Sequence, residues 1–125
     1  MQVKRCTGFA LSWQNKLYVF GGYTAEFLRE RVIEIFDPAR QKWSRYQYEL
    51  YQGIECGCIA ASAANEFVVF GGNMEFGPVS TVYAIDLEKG TAHTRPHMSE
   101  PRSLQKCLVQ NDKVYIIGGG EKDNV

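Results

Sequence analysis

The chain has 125 residues, a mass of 14.2 kDa, and 14 Lys and Arg against 14 Asp and Glu, so its formal charge is zero. That is the size of one ordinary domain or a piece of a larger one, and it lacks the basic excess of a duplex-binding protein. Its longest apolar runs, such as Cys58 to Ala64, fall well short of the roughly 20 residues that span a bilayer as a helix. Neither nucleic acid nor membrane is therefore expected as a partner. Hydrophobic residues make up 45% and charged residues 22%, which is not the balance of a disordered chain. Twelve glycines, seven Tyr, seven Phe and two Trp point to a turn-rich β protein. The N-terminus, Met1-Gln2-Val3-Lys4-Arg5, leads into no apolar leader segment. The expectation that follows is the cytoplasm or another intracellular reducing compartment, with Cys6, Cys56, Cys58 and Cys107 as free, buried thiols.

In chain order, the first element is an apolar stretch from Cys6 to Leu11, closed by a polar turn at Gln14-Asn15. The run Leu17-Tyr18-Val19-Phe20 follows and stops at Gly21-Gly22, as a buried strand stops at a turn. Ala25 to Glu34 contains helix-favouring Glu26, Leu28, Arg29 and Glu30, but its position between two strands predicts a long loop with one helical turn at most. Val32 to Phe36 reads as a third strand, ended by Asp37-Pro38 turn chemistry. A fourth begins at Lys42, where Tyr46, Tyr48 and Leu50 alternate with Arg45, Gln47 and Glu49.

The same order then repeats. Phe67-Val68-Val69-Phe70-Gly71-Gly72 and Val114-Tyr115-Ile116-Ile117-Gly118-Gly119 place their glycine pairs 50 and 47 residues along. Val82 to Ile85 ends at Asp86, 49 residues after Asp37. Stretches preceding the second and third glycine pairs, Cys56 to Ala61 and Ser103 to Val109, match Cys6 to Leu11. Arg5 and Arg102 occupy the same repeat position, and Glu55 replaces the arginine in the middle unit. The prediction is one four-stranded unit over residues 5–50, a second over 54–97, and the first two strands of a third over 101–125.

The strand plus Gly-Gly, the Phe36-Asp37-Pro38 turn, Trp43 and the Pro101-Arg102-Ser103 lead-in resemble the kelch repeat, and the period agrees with that family. The resemblance implies an all-β fold: kelch-type β-propeller blades of four-stranded antiparallel sheets, here an incomplete ring. Gly21, Gly22, Asp37, Trp43, Gly71, Gly72, Asp86, Gly118 and Gly119 form its structural motif. A closed ring takes about 4–8 blades, so further blades are expected from a longer polypeptide or from another subunit.

Little in the residues suggests chemistry. Cys56-Gly57-Cys58 with His93 and His97 is the nearest approach to a metal set. The two cysteines, expected on one face of an inner strand, read as packing groups. No metal, no cofactor and no catalytic residue is expected, so the chain reads as not an enzyme. The connections leaving one face carry Tyr23, Phe27, Arg29, Arg31, Tyr48, Tyr51, Met74, Phe76, Arg95 and His97, residue types enriched at protein interfaces. The reading is a non-catalytic protein–protein interaction module, an adaptor or scaffold that binds a protein partner through those loops. The alternative is a structural subunit of a larger assembly whose missing strands come from another chain; a fragment of a kelch-propeller enzyme ranks below it. Arg29, as a loop residue, is expected to matter far less to stability than Gly71.

Overall fold

The computed structural model describes residues 1–62 and 64–120, and no helix occurs among them. Residues 121–125 of the expected third unit lie outside the described residues. The first sheet is an antiparallel meander of β1 (Phe9–Trp13), β2 (Lys16–Phe20), β3 (Val32–Asp37) and β4 (Lys42–Glu49), in that order. The second contains β5 (Cys58–Ser62), β6 (Glu66–Phe70), β9 (Val82–Asp86) and β10 (Ala92–Arg95). Between β6 and β9 the chain adds a small hairpin, β7 (Asn73–Met74) with β8 (Gly77–Pro78), which the sequence pattern did not announce. A third hairpin, β11 (Lys106–Gln110) with β12 (Lys113–Ile117), has two strands only. The sheets do not close into a ring.

Each hairpin has a local cause. Polar turns at Gln14-Asn15 and Asn111-Asp112 hold both residues at positive φ, the conformation that matches strand twist in two-residue connections. The β3–β4 and β9–β10 turns are each organised by an aspartate. Asp37 accepts from the backbone N–H groups of Ala39 and Arg40, and Asp86 from those of Glu88 and Lys89. Those two bonds hold the exposed Asp86 carboxyl below its ordinary range.

The inner strands start about three residues later than expected. Left-handed backbone at Thr7, Cys56 and Leu104 bends the chain before β1, β5 and β11. Cys6, Glu55 and Ser103 instead make isolated bridges to Tyr23, Asn73 and Gly120. The Ala25–Glu34 stretch holds no helical turn. It is a tight bend in which the Phe27 N–H donates to Thr24 and the Thr24 N–H to Leu28, after which β3 begins.

The core lies between the first two sheets. Phe67 of β6 is fully buried, with ring centroids of Trp13, Tyr18 and Phe20 at 5.2, 5.2 and 5.5 Å, all in edge-to-face geometry. Ile33, Leu50, Ile54, Ile59 and Val69 complete it. Trp13 is thus a joint between sheets. Trp43 packs locally, on Phe36 at 5.1 Å.

Gly71 and Gly118 share a repeat position but not an environment. Both have positive φ, 53° and 73°. A Cβ on Gly71 would lie 2.6 Å from the Arg102 carbonyl oxygen, whereas one on Gly118 would meet nothing within 4 Å. Gly118→Ala is therefore expected to cost only the left-handed strain, about 1–2 kcal/mol. Gly71→Ala should cost distinctly more, because a backbone carbonyl must also move. Equal urea midpoints for the two variants would refute this.

Candidate functional site

Alternating strand direction brings the β2–β3, β4–β5, β6–β9 and β10–β11 connections to the glycine-pair end of the sheets. They are tied together by backbone. The Gly22 N–H donates to the Ile54 carbonyl at 2.8 Å, and the Gly72 N–H to the Arg102 carbonyl at 2.9 Å. Each glycine turn thereby holds the lead-in to the next unit.

The ten residues singled out from sequence fall into separate groups on this end. Tyr23, Phe27 and Arg29 form the first. The Tyr23 and Phe27 rings are 6.2 Å apart, and the Arg29 guanidinium lies 5.5 Å from the Tyr23 centroid. Arg29 also pairs with Glu55 at 3.1 Å, so it is not a free loop side chain. It binds the first unit to the second through the very residue that replaces the repeat arginine. The Thr7 hydroxyl donates to the same carboxylate at 2.8 Å. Phe27, beside them, is 79% exposed.

Tyr51 and Arg95 form the second group. With Tyr83, His93 and Thr94 they line an open pocket of about 550 Å³. Tyr51 stacks edge-on to Tyr83 at 6.2 Å. Tyr83 itself is buried and its hydroxyl has no hydrogen-bond partner, and burial pushes that hydroxyl's pKa well above the ordinary tyrosine value. Arg95 spends its guanidinium on Glu66, with contacts of 2.9 and 3.0 Å. Arg31 is exposed, with its Nε donating to the Leu50 carbonyl at 2.9 Å.

Met74 and Phe76 form the third group, on the β7–β8 hairpin; Phe76 is 90% exposed at its tip. Tyr48 stands apart. It lies in β4 rather than in a connection, and its hydroxyl donates to the Glu88 carbonyl at 2.9 Å in the β9–β10 turn. His97 is exposed on the β10–β11 connection and joins none of the groups.

Where β1, β5 and β11 begin, a second concavity of about 430 Å³ opens, lined by Thr7, Phe9, Cys56, Ile59, Gln105 and Lys106 among others. The cysteines here depart from expectation. Cys58 and Cys107 form a disulfide, with Cα atoms 5.8 Å apart, and Cys6 is exposed. The reason is geometric. The positive φ of Cys56 ends the extended run, so β5 starts at Cys58 and Cys56 does not share its face. Cys58 then meets the start of β11 in the neighbouring unit. Burial, followed by the nearby Glu55 charge, pushes the Cys56 thiol up, so it is a poor nucleophile. Among the described residues, no group of three or more His, Cys, Asp or Glu could hold a metal ion.

Sequence reasoning missed three features: the Tyr83 pocket, the buried Gln105 whose Nε2 donates to the Phe70 carbonyl, and an ion pair inside the first unit. Arg5 meets Glu34 at 2.8 Å, and both side chains are almost wholly buried. The Glu34 carboxylate also accepts from the Gln2 and Val3 N–H groups at 2.6 and 3.0 Å. Its signal was present, as a charged residue in the middle of the apolar run Val32-Ile33-Glu34-Ile35-Phe36.

The family described as Kelch motif matches residues 4–47. Kelch-like protein 25 of Xenopus tropicalis is 27% identical over 116 residues, which cover 87% of this chain and 18% of that protein. Kelch-like protein 38 of Danio rerio is 27% identical over 105 residues, covering 84% of this chain and 17% of that protein. An F-box/kelch-repeat protein of Arabidopsis thaliana is 35% identical over 63 residues, half of this chain and 17% of that protein. The aligned part is thus less than a fifth of each relative's length.

Proposed function

We propose that this chain, which belongs to the kelch-repeat family, is a non-catalytic protein–protein interaction module that grips a protein partner with the glycine-pair end of its sheets. The observation that carries this reading is the contrast between a fixed base and exposed tips. The connections are tied to one another by backbone hydrogen bonds, yet Phe27, Tyr51 and Phe76 stand out from them into solvent. Large aromatic side chains on preordered backbone lose little entropy on binding and make good anchors. Arg31 and His97, exposed on the same connections, supply polar contacts around them. The adaptor or scaffold role follows from such a surface with no reactive group assigned to it.

The test replaces Phe27, Tyr51 and Phe76 together by alanine and compares this variant with the unaltered chain as bait in quantitative affinity capture. The expected result is at least a tenfold loss of a saturable partner with an unchanged melting temperature. Undiminished capture by the triple variant would refute the reading.

A further inference from the structure

The third unit ends its sheet at β12, and the edge of β12 carries no neighbouring strand among the described residues. The rest of the chain shows what such an edge takes. In the first unit β2 is covered by β3, with Leu17 opposite Phe36, Tyr18 opposite Ile35 and Val19 opposite Glu34. In the second, β6 is covered by β9 in the same antiparallel sense. At β12 the equivalent positions are Val114, Tyr115 and Ile116, with Tyr115 47% and Ile117 58% exposed.

Arg102 makes the site more specific than a bare edge. In the first unit, Arg5 Nη1 donates to the Gly21 and Val32 carbonyls at 2.9 Å each, while Nη2 holds the Glu34 carboxylate. Arg102 stands at the same distance before its glycine pair and makes the first of these bonds, to the Gly118 carbonyl at 3.1 Å. Its Nη2 has only a loose contact with the exposed Glu100, at 3.9 Å. The second unit supplies the contrast. There Glu55 replaces the arginine, Tyr83 stands opposite Val69 where Glu34 stands opposite Val19, and the pair is absent. Arginine and acidic partner are thus present together or absent together in the complete units, and Arg102 has its half.

We infer that the β12 edge is a docking site for an added antiparallel strand, supplied in trans by a protein partner, of the pattern apolar-apolar-Glu-apolar-apolar-Asp, its Glu seated on Arg102. The partner is recognised in two ways. Backbone hydrogen bonds to β12 give affinity without regard to sequence, and the Arg102–carboxylate contact selects the acidic strand. The inference deepens the interaction-module reading and rests on it, but it uses a different surface from the aromatic tips.

The probe is a synthetic peptide of residues 31–50 of this chain, which carries the β3–β4 hairpin, added to the 125-residue protein. Hydrogen exchange should slow at the β12 amides. The same peptide with Glu34→Gln should bind about tenfold more weakly, and Arg102→Met in the protein should erase the difference between the two peptides. The peptide comparison leaves the protein unaltered, so a poorly folding Arg102 variant would not spoil the test. Equal binding of both peptides, unchanged β12 exchange, or β12 protection by self-association without peptide would each overturn the inference. If these fail while the Phe27, Tyr51 and Phe76 variant still loses its partner, only the edge proposal falls.

Discussion

Phe67→Ala is expected to lower the stability of the chain by about 3–5 kcal/mol, the cost of emptying a fully buried aromatic site. Phe67 belongs to the second sheet, but its ring is enclosed by Trp13, Tyr18 and Phe20 of the first. The cavity would therefore open at the joint between the sheets. Loss there should be cooperative, because neither sheet buries its facing side alone. Urea unfolding followed by tryptophan fluorescence is the direct measurement, since Trp13 sits against the deleted ring. A loss below about 1 kcal/mol, within the range of an ordinary surface change, would mean that Phe67 does not join the sheets. Phe67→Leu, which keeps much of the volume, should fall well short of the alanine effect.

Breaking the Arg5–Glu34 pair from one side should be comparably severe. Glu34→Gln leaves the Arg5 guanidinium buried without its counter-charge, for which about 3–5 kcal/mol is expected. Removing both charges with shape-matched apolar groups, as in Arg5→Met with Glu34→Leu, should recover most of that loss. The second unit shows that the fold tolerates the absence of this pair. The pair also predicts a pH dependence. Burial by itself would raise the Glu34 carboxyl, but hydrogen bonds from Gln2, Arg5 and Val3, with the Arg5 charge, outweigh it and hold the carboxyl below its ordinary range. A carboxyl depressed in the folded state stabilises the fold at pH above its unfolded value. That contribution is lost as pH falls through the folded value. The stability gap between the native chain and Glu34→Gln should hence be full near neutrality and shrink on acidification. A gap that is flat or widens toward acid would contradict the ion pair.

The repeat was legible because it is written in local chemistry. Strands that end in Gly21-Gly22, Gly71-Gly72 and Gly118-Gly119, and turns that begin at Asp37 and Asp86, show in any short window. The all-β antiparallel architecture followed from them. What joins the units was not legible. Phe67 meeting Trp13, or Arg29 meeting Glu55, depends on contacts between residues far apart in sequence, and no window contains both partners. Cys58 and Cys107 were hidden for a related reason. Their meeting depends on a left-handed bend at Cys56 that moves the start of β5, and nothing about a cysteine in an apolar run signals positive φ. Arg5 and Glu34 are the opposite case. Both residues stood in plain view at repeat positions, and the clue was the cost of placing a charge in an apolar strand.

The hydrogen bonds from Gly22 to Ile54 and from Gly72 to Arg102 run between main-chain groups only, so they are indifferent to which side chains the units carry. They fix a distance along the chain, not a composition. Such a linkage lets one unit carry Arg5 with Glu34 and the next Glu55 with Tyr83 without altering how the two are hitched. It is correspondingly intolerant of a length change in the segment that carries the accepting carbonyl. A single residue inserted just before Ile54 would move that carbonyl off the glycine N–H, while the exposed tip of the β7–β8 hairpin could lengthen freely. Substitution and insertion thus meet different rules in the same molecule: the faces are open to exchange, and the spacing is held by the backbone.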